Sequence, residues 1–575
     1  MNILNRQRIV FFCRRIVFLL ALFLVLPNVI GAQESVEIYP NVQTQKKLKL
    51  CAGFTNTALT NQDPSIILQI MEEAIDKYKI DIINAHHFSS DNWITYKGYD
   101  LVRKTPDPDY IQKNRGYYQR LKNKGVYLII GGGEPVAPSD LLAKYPEMKN
   151  VNNEKFWQFI EDKTKELYDV FPEMDCFEIY LWETPIVNDG QVFHDFDFNI
   201  FSDYPYYSHA DAFKYMFDAL ARAAHSKNKD FMLLTFSHHL FQEQMMIDAL
   251  KNRDRNYPFL LDHKCQPGDW VPFKPANNIM QTITDMSAHL QFDGAGEYWG
   301  QTLTPYCYPE EIQARVQHAL SHNPSINTLS MRTNWVYGSI FGRPNEINFY
   351  ALAKLAEDPF TPIEQIWKGW ATERFGEKAA DKVISALKRT DDIGRKIFYV
   401  EGMWVFNHSE LANLAYLESH VVTYAKSTAR LKPWDILGNY KMNELLNYPR
   451  EQVINDVLDD RDEALRLNAL SLQDIEDART TLKPDDYKML KEQLTRQRDM
   501  ANASKLHLEA FFRYRIEKLN CPEKGAENRK KLENCLRQLE KMGGEMDQKY
   551  DKTFPLLKSS LFREYAKHIR EAINL

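Results

Sequence analysis

The sequence predicts an α/β fold, a (β/α)8 TIM barrel followed by an all-α C-terminal domain. Three observations carry this. Between Lys47 and Glu357, short apolar runs alternate with amphipathic helical stretches, in units of roughly 35–40 residues that suit a TIM barrel. No Gly-rich phosphate turn follows the first run, which argues against a doubly wound open sheet. The run Gly131-Gly132-Gly133 comes after the third strand and lacks the required spacing. Beyond Trp370, strand signals cease and dense charge at helical periodicity takes over.

The elements follow in order. Leu48–Thr55 reads as the first strand and Ser65–Tyr78, with apolar residues at helical spacing, as its helix. Ile80–Phe88 and Tyr110–Lys124 form the second pair. Val126–Ile130 is an unbroken apolar strand ending in the glycine turn and Glu134, and the amphipathic Phe156–Phe171 follows it. Phe177–Trp182 is strand four, with Asp211–Ala224 as its helix. Phe231–Phe236 pairs with Glu243–Leu250, and Phe259–Asp262 is strand six. Ala288–Phe292 precedes the helix Glu310–Leu320, and Ile326–Met331 with Glu346–Glu357 closes the cycle. In the all-α part, Ala380–Lys388, Glu410–Tyr424, Val453–Leu467, Lys488–Lys518 and Lys530–Lys549 carry helical periodicity. This part either covers the barrel or serves as an interaction module, such as a homodimer surface.

The chain of 575 residues exceeds the roughly 250–300 that one core serves. Arg6, Arg8, Arg14 and Arg15 precede and flank a greasy run from Ile16 to Pro27, and Ile30-Gly31-Ala32 supplies small residues. That pattern reads as a secretory signal over residues 1–32, cut after Ala32, and the run is short for a membrane span. Residues 33–46 are then a lead-in, 47–370 the barrel and 371–575 the helical domain. The expected location is periplasmic or secreted, with no integral membrane span after signal removal. The residue directly after the cut is Gln33, not Cys, which argues against a lipoprotein. A net charge of −6 gives no nucleic-acid footprint. Cys51, Cys176, Cys265 and Cys307 sit singly near strand ends and read as buried small hydrophobes. Cys521 and Cys535 flank a charged turn and can pair in an oxidising compartment. No Cys or His grouping has zinc spacing, so neither metal nor cofactor is expected.

Barrel chemistry gathers at the C-terminal ends of the strands. The polar residues just past each strand are Asn84, His86 and His87, then Glu134, Glu183, and His238 with His239. Lys264 and Asp269 follow strand six, Glu297 strand seven, and Arg332 with Asn334 strand eight. Trp182, Trp270, Tyr298, Trp299 and Trp335 are interleaved with them. Carboxylates, cations and aromatic rings at one mouth suit a sugar: rings stack on pyranose faces while charged groups bond the hydroxyls. An oligosaccharide or polysaccharide is therefore the expected partner. Glycosidic cleavage needs a carboxylic acid to protonate the leaving oxygen and a carboxylate to activate water or attack the anomeric carbon. Glu183, following the apolar Ile179-Tyr180-Leu181-Trp182, suits the acid, since apolar surroundings raise a carboxyl pKa. Glu297, between small residues and Tyr298, suits the base. The paired His86-His87 point to opposite sides of a strand, which disfavours a metal hydrolase.

Several segments resemble the α-glucuronidases of glycoside hydrolase family 67. His289-Leu290-Gln291-Phe292 followed by Glu297-Tyr298-Trp299-Gly300-Gln301 is similar to that family's strand-seven motif, whose Glu before Tyr has the base role. The family's second base-side carboxylate, an Asp after strand six, falls at Asp269, and the Lys preceding it at Lys264. The acid that ends strand four falls at Glu183. His209-Ala210-Asp211-Ala212 resembles a family helix start, and Leu352–Pro359 with Ile366–Trp370 resemble its closing helices. The resemblance runs colinearly over roughly Ile80 to Phe375. It implies an exported, inverting glycoside hydrolase with Glu183, Asp269 and Glu297 as its catalytic carboxylates. Their places at the strand ends put His86, His87, Glu134, His238, Trp270, Tyr298, Trp299 and Arg332 around the substrate, and the resemblance adds Lys264 to them. The chain departs from the family after strand one, where Asn56–Pro64 replaces its binding loop, and at Leu234, where the family has an Arg for the uronate carboxylate. The family's N-terminal β-domain and its His-Tyr-Gly-Pro segment have no counterpart, and Phe398–His408 occupies the latter's place. The substrate thus stays open, and two alternatives stand beside it: a glycosidase for neutral sugars, and a glycan-binding protein on a catalytically weak barrel.

Overall fold

The computed structural model describes residues 47–575, apart from 56–63, 87–92, 102–105, 133–138, 151, 181–184, 189–190, 195–208, 236–239, 265–277, 402, 423–444 and 551–552. The leader and lead-in expected over 1–46 lie outside the described residues. Eight parallel strands close into a barrel: β1 (Lys49–Thr55), β2 (Ile82–His86), β3 (Tyr127–Gly132), β4 (Cys176–Tyr180), β5 (Asp230–Thr235), β6 (Leu260–Lys264), β7 (Ala288–Asp293) and β8 (Ile326–Arg332). Each strand pairs with its chain neighbours, and β8 returns to β1 with Cys51 opposite Ser330.

Each strand was expected within a few residues of where it lies, because its apolar run is flanked by turn residues and must be buried on both faces. Helix ends follow local chemistry. The Asp107 carboxylate accepts from the backbone N–H groups of Asp109 and Tyr110, with Pro108 at the first turn of Pro108–Asn123. Asn153 caps Glu154–Val170 in the same way. Among the described residues, strand six is followed by the short helix Asn278–Thr282.

Side chains alternate across each strand, and this alternation grades the barrel lumen. Its lower layer is apolar, with Cys51, Ile82, Ile129, Cys176 and Met232 packed together. Two residues further along the strands the layer turns polar: Asn84 Nδ2 donates to Glu178 Oε2 at 2.8 Å, and Gln291 Nε2 donates to Asp262 Oδ2 at 2.5 Å. Glu178 and Asp262 also share a hydrogen bond, and both are fully buried. Two carboxyls in such contact need a proton between them. Burial pushes Glu178 up to about 7. Burial, then the Glu178 charge, lifts Asp262 well above the usual carboxylate range. At the rim the third layer is charged, with Lys264, Asp293 and Arg332 ending β6, β7 and β8.

A raised carboxyl adds stability that is complete below its ordinary value of 4.5 and is lost as pH climbs through about 7. The melting temperature is therefore expected to fall as pH rises across this range. Glu178→Gln should reduce that decline. An equal decline in the variant would remove the shared proton from the account.

Beyond the barrel, Ile363–Phe375, Glu377–Lys388 and Thr390–Phe398 lead into the long helices Glu451–Asp477, Pro484–Leu519 and Ala526–Tyr550. A final helix, Ser559–Ile573, was not expected, although Phe562, Tyr565, Ala566, Ile569 and Ile573 give it a buried stripe at helical spacing. Two expectations are corrected. Strands do occur past Trp370, as the small antiparallel pair Tyr399–Val400 and Met403–Trp404. The helix expected over Glu410–Tyr424 is instead a tight turn across Asn407 and Glu410, then a short helix at Leu414–Tyr416 and a π-helical segment at Leu417–Val422. Asn413 Oδ1 accepts from Tyr416 N and starts the helix late, while the residues before it are drawn toward the barrel mouth. Cys521 and Cys535 are unpaired thiols. Among the described residues, no helix is long and apolar enough to cross a membrane.

Candidate active site

The segment after β7 is built around one acid. Asp293 ends the strand, and its carboxylate accepts from Ala295 N and Glu297 N, both at 3.0 Å. The Arg332 carbonyl on β8 accepts from Gly294 N and Ala295 N. Gly296 takes φ +73°, and a Cβ there would stand 2.5 Å from Trp299 Nε1. Only glycine allows this turn, and the turn delivers Glu297 to the C-terminal mouth of the barrel.

Arg332 reaches the same place from β8. Its guanidinium makes a two-pronged bond to Asp293, at 3.0 and 2.8 Å, and a further bond to Glu297 Oε2 at 2.8 Å. It also lies over the Trp335 ring, 4.3 Å from the centroid, a favourable site for a planar cation. The other oxygen, Glu297 Oε1, is 2.6 Å from His408 Nδ1. His408 projects from the Asn407–Glu410 turn with φ +55°. Its imidazole stacks on Tyr298 with centroids 5.6 Å apart, and Tyr298 in turn meets Trp404. The next residue, Ser409, donates to the Glu297 carbonyl at 2.7 Å and accepts from Gly300 N at 2.9 Å. The helical part of the chain therefore supplies one wall of this site.

Burial alone would raise the Glu297 carboxyl. The charge of Arg332, followed by the hydrogen bond and charge of His408, more than offsets it and holds the group at about 2. Glu297 is thus a carboxylate at any working pH, and an ionised carboxylate only accepts hydrogen bonds. It follows that His408 Nδ1 carries the hydrogen of their contact. Such a group cannot serve as the acid of a glycosidic cleavage. It can oppose developing positive charge or orient a base.

The structure brings Glu297, Arg332 and Tyr298 into one cluster. Lys264 ends β6, buried, level with Gln291 of β7. Trp299, expected as a sugar platform, is 1% exposed and stacks on Tyr306 beneath the segment. It is part of the packing and presents no ring face to the mouth. Only the backbone of His86 is described, at the end of β2. Glu134, Glu183, His87, His238, Asp269 and Trp270 lie outside the described residues.

Asp293, His408 and Ser409 were not singled out from the sequence. For Asp293 a signal existed: His289-x-Gln291-x-Asp293 alternates polar residues into the lumen of an otherwise apolar strand. For His408 none existed locally, since its partner is 111 residues away in the chain.

No family model matches the chain, and no curated protein matches it. Solved structures do. A GH138 enzyme targeting pectin rhamnogalacturonan II superposes with a TM-score of 0.57 at 11% identity, covering 92% of this chain and 84% of that one. A GH115 4-O-methyl-α-glucuronidase with specificity for decorated arabinogalactans gives 0.46 at 11% identity, over 90% of this chain and 61% of that one. The O-GlcNAc hydrolase of Thermobaculum terrenum gives 0.43 at 11% identity, over 92% of this chain and 94% of that one. The first likeness speaks for the fold: this chain shares its barrel and helical architecture with a structure of the glycoside hydrolase class.

Proposed function

We propose that this chain is an exported glycoside hydrolase acting on oligosaccharides derived from polysaccharides. The observation that carries the reading is Glu297, an acid held ionised at the C-terminal mouth of a (β/α)8 barrel by Arg332 and His408. In this reading Glu183 gives its proton to the leaving oxygen. A water on the opposite face of the sugar attacks the anomeric carbon under the influence of Glu297 and Asp269, with inversion. The colinear resemblance to family 67 α-glucuronidases supports these assignments, and Leu234, where that family has an Arg, is the reason to test neutral sugars beside uronates.

The test is a screen on uronate-bearing and neutral oligosaccharides, with product anomers followed by NMR. Release of a sugar with inversion is the expected result, and Glu183→Gln should slow it by at least about 10²-fold. Retention would reassign one carboxylate as nucleophile. Glycan binding without release would favour the second reading, a binding protein. One observation leans that way: both Glu297 oxygens are already engaged and the residue is 6% exposed.

A further inference from the structure

The lumen of a (β/α)8 barrel is ordinarily filled by branched apolar side chains. The middle layer of this lumen is built otherwise. Alternation along the strands brings Asn84, Glu178, Asp262 and Gln291 into it from β2, β4, β6 and β7, each at most 1% exposed. Gly53 stands level with Asn84 and Gly131 level with Glu178, and neither presents a side chain. The three atoms nearest to a Cβ built on Gly53 are β8 atoms, Arg332 Cα and N and Met331 O, at 3.6–3.8 Å, and no side chain from across the lumen is among them.

The hydrogen bonds of this layer leave oxygen atoms over. Asn84 Nδ2 donates to Glu178 Oε2, and Gln291 Nε2 donates to Asp262 Oδ2. The oxygens of the same two amides, Asn84 Oδ1 and Gln291 Oε1, are buried and accept nothing from the protein. Buried oxygens without a donor are costly, and these two stand beside a pair of acids in contact. The Asp262 carboxyl meets Glu178 and Gln291, and among the described residues no Lys, Arg or His side chain reaches it.

The geometry points to a site for a divalent cation of calcium's class in the barrel lumen, held by the carboxylates of Glu178 and Asp262 and the amide oxygens of Asn84 and Gln291. Oxygen donors of this kind suit a hard cation, and two carboxylates match a double charge. Calcium fits a dry lumen better than magnesium, which holds on to several of its waters. Among the described residues no three His, Cys, Asp or Glu side chains gather around a metal position; this site has two acids, and amides complete it. The missing zinc spacing of the sequence concerns nitrogen and sulfur ligands, and these are oxygens. The cation takes the place of the proton that otherwise lies between Glu178 and Asp262. Asp262 and Gln291 lie two residues before Lys264 and Asp293 on the same strands, so the ion ties β4, β6 and β7 together just beneath the mouth. The inference is independent of the hydrolase reading.

The test uses the full chain at mildly alkaline pH, stripped with EDTA and exchanged into metal-free buffer. After incubation with calcium and gel filtration, elemental analysis should find one calcium retained per chain. The melting temperature should rise by about 2 °C at a hundredfold excess of calcium over its Kd. Magnesium at the same concentration should shift it less, and an equal shift would overturn the assignment to calcium's class. Glu178→Gln keeps the shape of the side chain without its charge, and it should lose both the retained ion and the shift. Gln291→Met removes one amide oxygen and leaves both acids, and it should weaken calcium binding at least about tenfold by calorimetry. A wild type that retains no calcium and melts alike in EDTA and in calcium overturns the site. So does retention that Glu178→Gln leaves unchanged, because the ion then sits on surface acids. If Glu178→Gln does not fold, wild-type retention and the Gln291→Met affinity decide between the same two results.

Discussion

Arg332→Met is expected to destabilise the protein by about 3–5 kcal/mol, the range found when one partner of a buried ion pair is removed. The side chains of Asp293 and Glu297 are 0% and 8% exposed, and both rest on this one guanidinium. Methionine fills a similar volume but leaves Asp293 without its counter-charge and Glu297 with the His408 imidazole alone. Their alternatives are to take up protons or to open the segment after β7 to water. Either would loosen Trp299 and Tyr308, the latter anchored by its hydroxyl to the Asp293 carbonyl at 2.7 Å. Arg332→Lys should cost less than Met, because it keeps the charge, yet still lose the two-pronged fit to Asp293. Urea unfolding at neutral pH measures both. A Met variant within about 1 kcal/mol of wild type, the level of an exposed pair, would mean that water already reaches these acids.

Glu297→Gln carries the second large effect, and it has two readouts. The first is activity. Under the proposed hydrolase reading, glutamine cannot hold the charge that opposes positive charge on the sugar, so a loss of at least about 10²-fold is expected. The second is stability against pH and needs no substrate. The folded carboxyl sits at about 2 against an ordinary value of 4.5. A depressed carboxyl contributes stability that is complete above 4.5 and is lost as pH falls toward 2. The contribution is about 3 kcal/mol, and the acid-side decline in melting temperature should shrink in the variant. This window lies below the one set by Glu178, so the two acids act on opposite sides of pH 4.5. An unchanged acid limb together with unchanged activity would strip Glu297 of its assigned role.

Most of the barrel was legible because its strands are buried on both faces and stand as uninterrupted apolar runs. The eighth helix, Glu346–Glu357, lies where its periodicity placed it. The turn at Asn407–Glu410 was not legible, because its shape answers to Glu297 and Gly300 across the fold and not to its neighbours in the chain. The same holds inside the site. Glu297 stands out as an acid following a strand, and Arg332 as a polar strand end. That they would bind one another through Asp293 depends on the parallel register of β7 and β8, with Arg332 opposite Asp293, which no local pattern encodes. Trp299 shows the converse error: an aromatic beside a candidate acid reads as a sugar platform, while the glycine turn folds it inward against Tyr306.

The attachment of the His408 turn bears on how this chain can be divided. Gln497 donates to the Pro305 carbonyl, Ser504 to that of Ile397, and Arg461 to that of Tyr399. A barrel excised at Trp370 would lose His408 and Ser409 and lay bare the ring stack of Trp299, Tyr306 and Tyr308. Shuffling this barrel onto a foreign C-terminal partner would therefore yield an incomplete site with a sticky flank, so the two halves are expected to be inherited together.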